Sequence, residues 1–178
     1  MISSTHKTES YHRLMHRLPF IVGTALMILL VATKLQADQI LTGEVVRIID
    51  GDTLVLLENS KNQKRIRLAG IDTPERKQPF GKMSKRHLTQ LTAGKTVLAN
   101  CPKIDHYGRH ICKVEVDSID VGLNLIRHGL AWHYKKYAHE QSPSDRKKYA
   151  NIEELARKEK VGIWSTPSPT PPWEWRHR

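Results

Sequence analysis

The stretch "LTGEVVRIIDGDTLVLLE", residues 41–58, most narrows what this chain can fold into. Hydrophobic and polar residues alternate through Val45, Ile48, Leu54 and Leu56, and Asp50-Gly51-Asp52 interrupts the run. Alternation with a period of two buries one face of a strand, and an Asp-Gly step permits the reversal between two strands. A hairpin is expected here, with "KRIRLAGI" as a third strand and "KTVLAN" and "HICKVEV" as a second hairpin.

Helical patterns fall between and after these strands. "PFGKMSKRHLTQLTAG" opens on Pro79, spaces Phe80, Met83, Leu88 and Leu91 along a helix, and stops at Gly94. "DVGLNLIRHGLAW" is a short amphipathic helix with Gly129 near its end. "SPSDRKKYANIEELARKEKVGIW" begins with a capping sequence and sets Tyr149, Ile152, Leu155 and Ala156 at helical spacing. The ending "STPSPTPPWEWRHR" is proline-rich and reads as irregular. Strands interrupted and followed by helices imply a small, partly closed barrel with helices packed on it.

The organisation reads as three parts. Residues 1–37 carry Lys7, Arg13 and Arg17 ahead of the uncharged run "LPFIVGTALMILLVAT", residues 18–33. A positive segment followed by an apolar run is the pattern of an export signal, with cleavage after Ala37. The alternative is an uncleaved membrane anchor through residues 18–33. Either reading places residues 38–165, the folded domain, outside the cytoplasm, in the periplasm or secreted; residues 166–178 form a proline- and tryptophan-rich tail. Cys101 and Cys112 flank the second hairpin's turn, and in an oxidising compartment they are expected to form a disulfide rather than remain as two buried thiols.

Composition matters for the choice of partner. Lys and Arg number 29 against 18 Asp and Glu, a formal charge of +11 spread along the chain. Such an excess suits a polyanion or an anionic membrane surface, or serves only as a solubilising surface. Against it stand carboxylates in turns: Asp52, Asp72 and Glu75, the last two bracketing Thr73-Pro74. "DGDT" and "DTPE" are, taken singly, ordinary turn sequences. Turns at one end of a small barrel can face each other, and carboxylates gathered there need a positive partner. Oxygen donors of this kind suit calcium or another hard divalent ion. Arg67 and Arg109 add planar forks that match two phosphate oxygens.

In order along the chain, "IIDGDTLVL", "RIRLAGIDTPE", "DHYGR", "LIRHGLAW" and "EELARKEKVGIW" closely resemble segments of the staphylococcal (micrococcal) nuclease, or thermonuclease, family, from about Gly43 to Trp164. The resemblance implies a five-stranded OB-fold barrel plus three α-helices, and a calcium-dependent nuclease acting on DNA and RNA with little sequence preference. By position, it implies that Asp52 and Asp72 hold Ca2+ through their side chains and Thr73 through its carbonyl, with Asp50 close by. It gives catalytic roles to Arg67, Glu75 and Arg109 and places Tyr107 and Tyr137 against the nucleotide. Products ending in 3′-phosphates and a monomeric enzyme are expected. Two departures stand out. Lys135 occupies a family tyrosine position, with Tyr134 beside it, and "RKQP" after Glu75 is shorter than the basic loop of the family's best-known member, which predicts a more open site. The competing reading is a catalytically silent nucleic-acid-binding module of the same fold, and such a copy is expected to lack the carboxylates or the arginines that are present here.

Overall fold

The structure, a computed structural model, describes residues 39–59 and 61–178. The export signal or anchor expected in residues 1–37 lies outside them. Among the described residues, no helix is long and apolar enough to cross a membrane.

The strands are β1 (Gln39–Ile48), β2 (Thr53–Glu58), β3 (Asn62–Leu68), β4 (Ile71–Asp72), β5 (Thr96–Ile104), β6 (His110–Val116), β7 (Ile119–Asp120) and β8 (Trp132–His133). β1 pairs antiparallel with both β2 and β5, β2 with β3, and β5 with β6. A parallel pairing of β3 with β6, Ile66 to Leu68 against His110 to Cys112, closes the ring. The result is a five-stranded closed barrel, which leaves the ring without a free edge. Alternation does what the pattern requires: in β6, His110, Cys112, Val114 and Val116 are buried in turn, and in β5 Val97, Ala99 and Cys101. All of these but His110 meet Leu41, Val45, Leu54, Leu56, Ile66 and Leu68 in one core.

Among the described residues four α-helices pack around the barrel: α1 (Gly81–Thr92), α2 (Val121–Arg127), α3 (Pro143–Lys158) and α4 (Pro172–Trp175). Gly94 terminates α1 with φ +71°, and the Ser142 hydroxyl caps α3 by accepting from the Asp145 N–H. The buried face of α3 is Tyr149, Glu153 and Ala156, and Leu155 is 47 % exposed. At 100° per residue, Leu155 lies about 120° around the helix from Tyr149, outside the buried stripe. Met83 of α1 is likewise exposed. The ending expected to be irregular instead closes with α4. Pro172 sits at its first turn, where a missing N–H costs nothing.

Cys101 and Cys112 are joined in a disulfide between β5 and β6, and both are buried. The bond closes a loop of sequence separation 11. In the chain-entropy account, a loop of this size is worth about 3 kcal/mol. Replacing both cysteines by serine is therefore expected to lower Tm by roughly 10 °C, read by thermal denaturation. A change within a degree or two would show that the packed hairpin holds without the bond.

Candidate active site

One open cleft of about 630 Å³ is lined by Asp50, Asp52, Arg67, Asp72, Thr73, Glu75, Tyr107, Arg109 and Tyr137 together with Tyr134 and Arg176. Residues from four separate turns and a terminal arm thus meet on one side of the barrel. The β1–β2 turn brings Asp50 and Asp52, and its Gly51 lies so close to Thr73 that an added Cβ would sit 2.6 Å from the Thr73 hydroxyl. Any side chain at Gly51 would push apart the two turns that hold the acidic residues. Gly81 does the same for the next turn, since its backbone lies against the Glu75 carbonyl.

Asp52 and Thr73 are locked together. The Thr73 N–H and hydroxyl donate to Asp52 Oδ2 at 2.9 and 2.8 Å. The Thr53 hydroxyl donates to Asp52 Oδ1 at 3.2 Å, and the Asp52 N–H donates to Asp50 Oδ1 at 3.1 Å. β4 carries Asp72, which is only 2 % exposed and stands opposite Trp132 of β8. Arg67 of β3 ties the two aspartates: its Nε is 3.2 Å from Asp52 Oδ1 and its Nη2 donates to Asp72 Oδ1 at 3.0 Å. Its Nη1 donates to the Leu68 and Ile71 carbonyls at 2.8 and 3.0 Å. One guanidinium therefore holds both carboxylates and the β3–β4 turn.

Crowding shows in the protonation equilibria. Burial, reinforced by the Asp52 charge, pushes the Asp50 carboxyl up to about 6. Burial also raises Asp72, outweighing the Arg176 and Arg67 guanidinium groups that draw it down. In both cases the first cause is loss of hydration on burial.

Arg109 follows the turn between β5 and β6, where Gly108 has φ +73°. Asp105 organises this loop. Its Oδ1 accepts from the Tyr107 and Arg109 N–H groups, both at 2.9 Å, and its Oδ2 accepts from Arg109 Nε at 2.8 Å. Burial opposes ionisation, yet the N–H and guanidinium of Arg109 prevail and hold the Asp105 carboxyl below its ordinary value. Asp105 stands in "DHYGR", but sequence reading gave it no part in aiming Arg109. The rim tyrosines differ: Tyr107 is 68 % exposed, and Tyr137, 39 % exposed, meets Tyr134 edge-on at 5.1 Å.

Glu75 lies at the mouth, and its side chain is 39 % exposed. Its N–H donates to Gln78 Oε1 at 3.0 Å. Its carboxylate accepts from Arg176 Nη1 at 2.6 Å, and Arg176 Nη2 donates to Asp72 Oδ2 at 2.9 Å. Sequence reading missed Arg176 because it lies in a tail without periodicity. A signal was present, since Trp173 and Trp175 are costly in a purely solvated ending. The tail also reaches the short "RKQP" segment. There Gln78 Nε2 donates to the Thr170 carbonyl at 2.6 Å, and the tail covers that flank.

Among the described residues, no three His, Cys, Asp or Glu side chains are grouped to hold a metal ion by themselves. The donors expected for calcium, two carboxylates and a carbonyl, are of another composition, and their chemistry fits a hard cation. Asp52 and Asp72 lie within the span of the Arg67 guanidinium, and that of Arg176 joins Asp72 to Glu75, so positive groups already stand among them.

Several of the proteins this chain resembles are named as nucleases. The sequence model described as "Staphylococcal nuclease homologue" matches residues 65–166, a range holding Arg67, Asp72, Thr73, Glu75 and Arg109 but neither Asp52 nor Arg176. A micrococcal nuclease of Shigella flexneri is 35% identical over 161 residues, 85% of this chain and 88% of the relative. An uncharacterized endonuclease of Escherichia coli O157:H7 is 39% identical over 137 residues, 76% of this chain and 85% of the relative. Protein ParB of Escherichia coli is 35% identical over 163 residues, covering 86% and 88%.

Proposed function

The chain belongs to the staphylococcal nuclease family and is a nuclease hydrolysing phosphodiester bonds; from that premise we propose a calcium-dependent enzyme that cleaves both DNA and RNA and leaves 3′-phosphate ends. The observation that carries this reading is the gathering of Asp52, Arg67, Asp72, Glu75 and Arg109 around one cleft. A silent binding module is expected to lack part of this set of carboxylates and arginines, and all five are present.

Asp52, Asp72 and the Thr73 carbonyl are the groups that would hold calcium, which when bound supplies positive charge to a non-bridging phosphate oxygen. Glu75 accepts a proton from the attacking water, or fixes its direction, at the carboxylate facing the cleft. The water oxygen bonds to phosphorus as the bond to the 5′ oxygen breaks, and the leaving oxygen takes up a proton. Arg67 and Arg109 hold the phosphate more tightly as charge accumulates on its equatorial oxygens. Tyr107 and Tyr137 offer ring faces to any base, consistent with weak sequence preference. We further infer that the enzyme is exported through residues 1–37, or anchored there, and acts as a monomer. N-terminal sequencing of the mature protein that began at Met1 would remove the cleaved-signal reading.

Purified protein given plasmid DNA or single-stranded RNA is expected to degrade both with calcium chloride and neither with a chelator. Cleavage that survives the chelator would end the calcium dependence, and intact substrate beside folded, calcium-supplied protein would end the nuclease reading. Calcium should also stabilise the fold, because it binds the native acidic cleft and not the dispersed chain. At a concentration of one hundred times Kd, the gain is about 2.7 kcal/mol. Tm is then expected to rise by roughly 8 °C over the chelated protein. An unmoved melting curve would count against these residues as the ion's ligands.

A further inference from the structure

We propose that Arg176 is a positioning residue of this site, brought there by the C-terminal arm to hold the Glu75 carboxylate beside Asp72. The inference rests on the nuclease reading above and adds a residue beyond the segment matched by the family model. Among the described residues, Arg176 is the one side chain that hydrogen-bonds the Glu75 carboxylate, at 2.6 Å. Its other nitrogen reaches the buried Asp72 at 2.9 Å. A planar fork joining two carboxylates fixes both distance and orientation, which a lone exposed glutamate lacks.

The arm does not depend on this ion pair for its place. Pro172 is buried, and Trp173 stacks on Tyr134 at 5.2 Å with an interplanar angle of 11° and meets Trp132 edge-on at 6.5 Å. The Gln78 amide ties the arm to the catalytic turn directly: its oxygen accepts from the Glu75 N–H and its nitrogen donates to the Thr170 carbonyl. Glu75 and Arg176 are therefore set opposite each other by the fold, with the guanidinium at the end of a docked arm. The rival is a plug, in which the same guanidinium occupies lone pairs that ion and water require and must leave before turnover.

The test uses the full chain carrying Arg176→Ala, whose side chain is 41 % exposed and outside the core, so folding is expected to survive. Positioning predicts a fall in kcat of about 10- to 100-fold with KM nearly unchanged, and calcium, followed by calorimetry with calcium chloride, bound at least as tightly as by wild type. It also predicts that Arg176→Ala combined with Glu75→Gln is no slower than Glu75→Gln alone, because the arginine acts through that glutamate. Trp173→Ala, which releases the arm with Arg176 intact, should lower kcat in the same way. Equal or faster turnover in Arg176→Ala, additive losses in the double variant, weaker calcium binding, or an unaffected Trp173→Ala would each overturn the assignment. If wild type cleaves while Arg176→Ala matches it, only this inference falls. A wild type without activity removes the nuclease reading beneath it.

Discussion

Arg67→Ala is expected to lower kcat/KM by about 10³-fold and to destabilise the fold by about 3 kcal/mol. No other single change on the rim should touch both so strongly, because Arg67 joins the two functions. Its Nε and Nη2 face Asp52 and Asp72, which are 6 % and 2 % exposed, and its Nη1 secures the Leu68 and Ile71 carbonyls. Without it, two buried carboxylates lose their shared partner and the β3–β4 turn loses its tie. Assays held well below both melting temperatures separate lost chemistry from lost fold. Lysine is not expected to rescue, since a point charge cannot meet two carboxylates and two carbonyls from one plane. A variant with wild-type melting would show that the carboxylates find other partners, and one with wild-type turnover would remove Arg67 from the reaction.

Glu75→Gln is expected to cost on the order of 10²–10³ in kcat with little change in Tm. The asymmetry follows from position. The Glu75 side chain is 39 % exposed, and its turn is held through its backbone N–H by Gln78, which glutamine at position 75 leaves in place. Shape and the backbone hydrogen bond persist, while the proton acceptor and the charge facing Arg176 are lost. Stopped-time digestion of a labelled oligonucleotide, alongside a thermal melt, reads both quantities. Undiminished turnover would transfer the water-activating role to another group. A large drop in Tm would mean that the Arg176 pair supports the fold more than the chemistry.

Much of this architecture could be read from the residues. The hairpin through Asp50-Gly51-Asp52 was visible because alternation and a turn dipeptide are local properties, and so were the helices ending at Gly94 and Gly129. Met83 and Leu155 misled because apolar residues near a helical stripe need not lie on it, and burial depends on what the helix faces. The cleft was visible in part. Asp52, Arg67, Asp72, Glu75 and Arg109 carried motifs with roles; Asp105 stood in a motif without a role of its own, and Gln78 had none until its partners were in place. Arg176 lay in an ending without periodicity, where only Trp173 and Trp175 hinted at docking.

Sequence alone determined the five barrel strands, the three longer helices, the turn that carries each acidic residue, and the family. Those are short-range signals, set by backbone preference and by which face of an element is apolar. Only the tertiary structure decided that one guanidinium serves both Asp52 and Asp72, and that the last residues return to Glu75. Such pairings join groups as far apart as Glu75 and Arg176, and no local preference encodes them. They exist because closing the barrel and docking Trp173 on Tyr134 bring those groups within hydrogen-bonding distance.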